Sequence, residues 1–140
     1  MRKLVFLVTG LLLVSAVAGY AHHPFSEDFE STAPVSVKGA VTRVDWTDPH
    51  TWIYLNVKDN NGSVQKWGFQ VASTSVLAQR GWKKDDLKVG DEVTIDGFQA
   101  KELIQNRIYT GNARAITFPN GLRVLSGSPG DGGPQARPSS

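Results

Sequence analysis

The sequence predicts an all-β fold with one short helix. Three observations support this prediction. Apolar residues alternate with polar ones at the period of a β-strand, turn signals rich in Gly, Asn and Asp separate these runs, and only one stretch carries helix-capping residues. The predicted order is three strands, one helix and two strands.

The first predicted strand covers residues 35–46, "VSVKGAVTRVDW". Its apolar alternation changes phase between Val41 and Val44, and a change of phase within one strand predicts a β-bulge. Gly39 permits a sharp bend beside it. The strand is therefore expected to be bent.

The second and third strands form a predicted hairpin. Residues 51–59, "TWIYLNVKD", place Trp52 and Tyr54 on one face and aliphatic residues on the other. The sequence "NNGS" at 60–63 indicates a tight turn, and residues 64–71, "VQKWGFQV", form the returning strand.

The helix and the last strands follow. Residues 73–82, "STSVLAQRGW", begin with capping hydroxyls and end near a glycine. Strands are predicted within residues 87–101 and 108–118, and "FPNGLRVL" adds a turn and a short strand. This order is that of a small five-stranded OB-fold-like barrel, in which a bulged first strand helps to close the sheet. A small open β-sandwich is the main alternative.

The ends of the chain differ from this domain. Residues 1–21 have the basic start, the apolar run and the small residues of a secretory signal, with cleavage after Ala18 or Ala21. Residues 22–34 are predicted to form an extended arm, and residues 35–125 the OB-like domain. Residues 126–140, rich in Gly, Pro and Ser, are predicted to be a disordered tail.

Charge and composition argue against some classes of function and indicate where the protein is located. The chain has 15 Lys and Arg against 13 Asp and Glu, and cleavage of the signal removes Arg2 and Lys3, so that the remaining chain is formally neutral. A neutral domain lacks the basic footprint of a nucleic-acid-binding protein. The leader predicts a periplasmic or secreted bacterial protein with no membrane span after cleavage, and the absence of cysteine excludes disulfides.

The three histidines suggest a metal site. Cleavage after Ala21 would make His22 the first residue, so that its α-amine and imidazole could chelate one ion with nitrogen from His23 or His50. Nitrogen-rich tetragonal sets favour Cu(II), which makes copper the candidate cofactor. Asp48 is the candidate carboxylate that supports a ligating ring. Alternatively, His22 and His23 are solvated and His50 hydrogen-bonds its turn.

The aromatic residues offer a second interpretation. Trp46, Trp52 and Tyr54 could form a sheet face that binds a peptide, a glycan or a protein partner without metal, although most such rings are expected in the core. The sequence has no nucleophile elbow, cysteine nucleophile or phosphate-cradling glycine loop, so enzyme activity is not expected.

Four segments together resemble a family of small exported bacterial proteins, domain of unknown function family 6152. They are "AHHPF" at 21–25, "VKGAVTRVDWTDPHTWIYLNVKD" at 37–59, "LAQRGWKKDDLKVGDEVTIDGFQAK" at 77–101 and "NARAITFPNG" at 112–121. The family pattern is similar to A-H-H-S-F followed by W-T-N-P-H-x-W-I, and here Pro24 and Asp48 replace Ser and Asn. The matching histidines are His22, His23 and His50. The resemblance implies export and one small β domain, and implies no known activity.

Overall fold

The computed structural model describes residues 25–129 and residue 131. The elements in chain order are α1 (Phe25–Asp28), β1 (Phe29–Asp45), β2 (Trp52–Lys58), β3 (Val64–Gln70), α2 (Thr74–Gln79), β4 (Glu92–Gln105), β5 (Ile108–Thr117) and β6 (Arg123–Leu125).

The strands form a closed barrel. Their order is β3-β2-β1-β4-β5-β6, and an additional parallel pairing of β3 with β5 joins the two sides of the sheet. All other neighbouring strands are antiparallel. The predicted five-stranded OB-like barrel is therefore confirmed, and β6 is an extra strand that pairs with β5.

β1 is long because it serves both halves of the barrel. It pairs with β4 up to Ala40 and with β2 from Ala40 onward. The register with β2 shifts between Val41 and Arg43, where the sequence predicts a bulge. At Gly39 the backbone of β2 comes so close that a Cβ atom would overlap the carbonyl oxygen of Asn56.

The main core lies inside the barrel and is formed by the inward-facing side chains of its strands. Ile53, Phe69 and Ile95 are fully buried there. Leu77 of α2 and Trp82 join the same cluster, and the Trp82 ring meets Phe118 edge to face with centroids 5.2 Å apart. The short helix thus closes one end of the barrel.

α2 begins where the sequence predicts, with Ser73 as its N-cap. The Ser73 hydroxyl accepts a hydrogen bond from the backbone N–H of Val76 at 3.3 Å. The helix stops at Gln79, three residues before the predicted end, and Gly81 takes a φ of 86° that favours glycine.

The N-terminal part of the domain starts earlier than predicted. Of the predicted arm, residues 25–28 form α1 and β1 begins at Phe29 instead of Val35. Phe25 and Phe29 are buried with Phe98 in a small second core, and the two N-terminal rings stack at 5.4 Å. Burial of these rings stabilises the N-terminal part of β1, so the sheet begins within the predicted arm.

The start of the predicted disordered tail is packed against the barrel. Ser126 is fully buried, its N–H donates to the carbonyl of Arg114, and its own carbonyl accepts from the N–H of Ala72. Asp131 contacts Asn112 and Arg114. Composition alone predicts disorder here, and specific hydrogen bonds hold these residues in place.

The predicted signal, residues 1–21, lies outside the described residues. Among residues 25–129 and 131, no helix is long and apolar enough to span a membrane.

Candidate ligand-binding face

The outer side of β2 carries two aromatic rings. Trp52 and Tyr54 alternate with the buried residues Ile53 and Leu55, so both rings lie on the outside of the barrel and are half-buried. Their planes are nearly parallel, at 20°, and their centroids are 6.3 Å apart. We call this pair the aromatic stack.

The neighbouring strands hold the Tyr54 ring in place. Gly68 of β3 pairs directly with Tyr54, and a Cβ atom there would lie 3.0 Å from Tyr54 Cε1. On β1, Arg43 is the register partner of Tyr54, and its guanidinium carbon lies 4.0 Å from the ring centroid. Arg43 Nε also contacts Asp45 Oδ1 at 3.1 Å. Strand pairing therefore fixes both the ring and the cation above it.

A groove of about 340 Å³ opens beside Tyr54. We call it the Tyr54 groove; its outer-face and rim side chains are Thr42, Arg43, Tyr54, Asn56, Lys66 and Ile108. Its volume falls within the range of small-ligand sites. Its lining combines apolar surface with two cations and two neutral polar groups.

A second cavity, of about 370 Å³, lies beside Trp52. We call it the Trp52 cavity; the side chains used below are Glu27, Asp28, Trp52, Gln70, Lys101 and Glu102. This cavity lies between α1, the end of β4 and the start of β2. The aromatic stack thus lies between two concave regions.

The other aromatic residues of the described part of the chain lie in the two cores or pack against them. Trp46 is half-buried and packs against the main core, and Trp67 and Phe69 are buried inside the barrel. Of the three predicted ligand-binding residues, the structure places Trp52 and Tyr54 together on the outer face and places Trp46 against the core.

His50 lies in the loop that leads into β2. Its Nδ1 atom is 3.2 Å from the carbonyl oxygen of Val71, and its side chain is half-buried. A carbonyl only accepts, so this hydrogen bond requires the proton on Nδ1 and leaves the lone pair of a neutral ring on Nε2.

Asp48 contacts α2. One carboxylate oxygen accepts from the backbone N–H of Thr74 at 2.9 Å, and both oxygens lie 2.9 Å from its hydroxyl. These described contacts tie the β1–β2 loop to the first residue of the helix, and the role of Asp48 beside a ligating histidine stays a prediction.

The predicted metal ligands His22 and His23 lie outside the described residues. Within residues 25–129 and 131, no group of three or more His, Cys, Asp or Glu side chains is arranged to hold a metal ion. The metal site therefore stays a prediction.

Sequence reasoning missed Arg43 and Lys66, because neither residue belongs to a recognisable motif. Gly68 carries a usable signal, since a glycine within a strand often marks close approach of another group. Here that group is the Tyr54 ring.

A family model described as "Family of unknown function (DUF6152)" matches residues 10–107. The match covers more than half of the chain, and the chain belongs to this family. No curated protein matches it. Among the solved structures that match is the mitochondrial single-stranded DNA binding protein Rim1 of S. cerevisiae, with a TM-score of 0.47, 9% identity, and coverage of 62% of this chain and 93% of that chain.

Proposed function

We propose that this protein is an exported binding module whose barrel binds its ligand on the outer face, at the aromatic stack. The observation that carries the proposal is the near-parallel pair of Trp52 and Tyr54, half-exposed between two cavities. The leader-like residues 1–21 support export. The proposal is one of binding, without a catalytic step.

The physical basis is a surface that is ordered before the ligand arrives. Half-exposed aromatic rings bury apolar area on contact, and a ring already fixed loses little conformational entropy in the complex. Gly68 and Arg43 fix the Tyr54 ring from the neighbouring strands.

The test is binding to glycan and peptide arrays by the mature protein and by Trp52→Ala and Tyr54→Ala. We expect a defined set of ligands for the wild type and a loss of about tenfold or more in affinity for each variant, corresponding to roughly 1.4 kcal/mol. Leu122→Ala, which removes an exposed leucine in the β5–β6 turn, is the matched control. Unchanged binding in both aromatic variants would contradict the proposal.

Export has its own measurement. Fractionation of the expressing cells, with intact mass analysis of the purified chain, is expected to place the protein outside the cytoplasm with the leader removed. A chain that keeps its first residues in the cytoplasmic fraction would exclude the exported function.

A second candidate function is binding of a copper ion by His22, His23 and His50. The observation that favours it is the hydrogen bond from His50 Nδ1 to Val71, because a ligating imidazole is commonly held this way by a backbone carbonyl and coordinates through its other nitrogen.

The position of α1 adds support. Glu27 and Asp28 line the same cavity as Trp52 and Gln70. Trp52 is two residues after His50, and Gln70 directly precedes Val71, the hydrogen-bond partner of His50. Phe25, which anchors α1, follows His23 by two residues. α1 thus lies near the side of the barrel on which β2 begins.

The metal function is tested by intact mass spectrometry of the exported protein with and without chelator, followed by Cu(II) titration. We expect His50→Ala to weaken Cu(II) binding, and we expect one extra residue before His22 to weaken it further, because the α-amine then leaves the chelate. Trp52→Ala, two residues away, is the control. Equal Cu(II) affinity in all four proteins would exclude this site.

A further inference from the structure

The two sides of the aromatic stack differ in charge. The Tyr54 groove is lined by Arg43 and Lys66, and among the described residues that line it there is no carboxylate. The Trp52 cavity is lined by three carboxylates, Glu27, Asp28 and Glu102, against the single cation Lys101. An anionic group is therefore favoured in the groove and disfavoured in the cavity.

Arg43 is oriented in advance of binding. Its guanidinium is held by the Tyr54 ring at 4.0 Å and by Asp45 through Nε at 3.1 Å, while 60% of the side chain remains exposed. These contacts use one face and one N–H of the group. A planar guanidinium held in this way presents its terminal N–H groups to a carboxylate in a fixed geometry.

Lys66 provides the second charge from the other side of Tyr54. It lies on β3, two residues before Gly68, and both Lys66 and Arg43 line the groove. An ammonium group acts as a point charge without strict geometry, and it complements the planar guanidinium. A carboxylate in the groove would lie between two cations.

The surrounding strands disfavour an extended peptide. β2 is paired on both sides, with β1 and β3, and β3 is paired with β2 and along Trp67–Gln70 with β5. Strand addition needs unpaired main-chain groups at a sheet edge, and β2, which carries Tyr54, has none. Above β2, hydrogen bonds to a ligand therefore come from side chains such as Thr42 and Asn56.

We propose that the Tyr54 groove binds an acidic oligosaccharide, with Arg43 and Lys66 contacting the sugar carboxylate. The apolar face of the sugar ring packs against Tyr54 and Ile108, and its hydroxyls meet Thr42 and Asn56. This inference rests on the proposed function and adds the chemical class of the ligand. The two cations distinguish this ligand from a neutral glycan, and the polar side chains of Thr42 and Asn56 complement sugar hydroxyls.

The test uses an oligogalacturonate and its fully methyl-esterified form as a matched pair, because the two differ only at the carboxyl group, which is an anion in the acid and a neutral methyl ester in the other. We expect the acid to bind the mature protein about tenfold or more tightly than the ester, and we expect added salt to weaken binding of the acid. Polyglutamate and a single-stranded oligonucleotide serve as other anions, with weaker binding expected for both.

The variants Arg43→Gln and Lys66→Gln are each expected to lose about tenfold in affinity for the acid and little for the ester. Lys38→Gln removes a lysine of β1 that pairs with Glu92 and does not line the groove, so it is the control for net charge. Thermal unfolding of each variant checks that the barrel is intact.

The outcomes separate the two proposals. Equal binding of acid and ester, or no effect of Arg43→Gln and Lys66→Gln, overturns the acidic ligand. If Trp52→Ala and Tyr54→Ala still abolish binding to an array ligand, the proposed binding face stands. Tighter binding of polyglutamate or of the oligonucleotide than of the acidic sugar also overturns this inference, and so does no binding of any of the four ligands.

Discussion

The guanidinium carbon of Arg43 lies 4.0 Å from the centroid of the Tyr54 ring on the neighbouring strand. The two residues are register partners because the β-bulge between Val41 and Arg43 changes which residues of β1 face β2. The feature that bends β1 into the barrel therefore also brings a cation to the outer face.

A double-mutant cycle can measure this contact. We expect Arg43→Met and Tyr54→Leu to be non-additive in the free energy of unfolding, with a coupling of about 0.5–1 kcal/mol for a cation–π pair at an exposed site. Urea denaturation of the four proteins gives the value. Asp45→Asn is the control, since it removes the ion pair to Arg43 and keeps the ring; additive single variants would contradict a direct interaction.

Gly68→Ala should displace the Tyr54 ring. The new Cβ would lie 3.0 Å from Tyr54 Cε1 and 3.3 Å from Ile108 Cγ2, so these side chains must shift. We expect a loss of about 1 kcal/mol in the free energy of unfolding. The same change in a Tyr54→Ala background should cost less, because the closest clash is gone. An equal cost in both backgrounds would show that the ring is not the obstacle.

Gly97→Ala should be more damaging. A Cβ atom at this position would overlap the carbonyl oxygen of Asn112 and approach Ala113 Cα to 3.1 Å, and both obstacles are backbone atoms that cannot rotate away. We expect about 3 kcal/mol of destabilisation, or failure to fold. Circular dichroism and thermal unfolding measure the effect, with Gly68→Ala for comparison. A smaller loss than that of Gly68→Ala would contradict this packing.

Much of the barrel could be predicted because its signals are local. The alternation around Ile53, the phase change after Val41 and the cap at Ser73 each depend on a few adjacent residues, and the structure confirms the elements that they predict. The pairing of β3 with β5, which closes the barrel, is not encoded by any local pattern. It could be expected only because the order of strands and helix matches that of an OB-fold.

The proposed binding face was predictable only in part, because the register between strands is not encoded by a local pattern. Alternation places Trp52 and Tyr54 outside, but the position of Arg43 depends on where the bulge lies, and that of Lys66 on the register of β3 with β2. The packing of Ser126 likewise depends on Ala72 and Arg114, which are distant in sequence.

Asp48→Ala should destabilise the start of α2. The carboxylate accepts from the Thr74 N–H and contacts its hydroxyl, both at 2.9 Å, so the variant leaves helix-terminal donors without this acceptor. We expect a loss of about 1 kcal/mol by urea denaturation. Asp48→Asn, which keeps one acceptor oxygen, should lose less. If both variants unfold like the wild type, the loop does not support the helix.

Asp131 is expected to stabilise the end of the domain through one arginine and one amide. Its Oδ2 atom accepts from Asn112 Nδ2 at 3.1 Å and lies 3.6 Å from Arg114 Nη1, with both charged side chains largely buried. Arg80 donates to the carbonyl of Gly127 at 2.8 Å, and burial, followed by the positive charge of Arg114, lowers the pKa of its guanidinium. Asp131 pairs with Arg114, so its carboxylate offsets the positive charge of that guanidinium.

Removing that carboxylate should leave the buried Asn112 amide without its acceptor and Arg114 without its counter-charge. We expect Asp131→Ala to lower the free energy of unfolding by about 1–3 kcal/mol. The double variant with Arg114→Gln should recover part of the loss, because the uncompensated charge is gone. Thermal and urea unfolding measure both effects. Asp85→Ala, which removes an exposed carboxylate, is the control for charge alone. A loss no greater than that of the control would show that residues beyond Leu125 contribute nothing to the fold through Asp131.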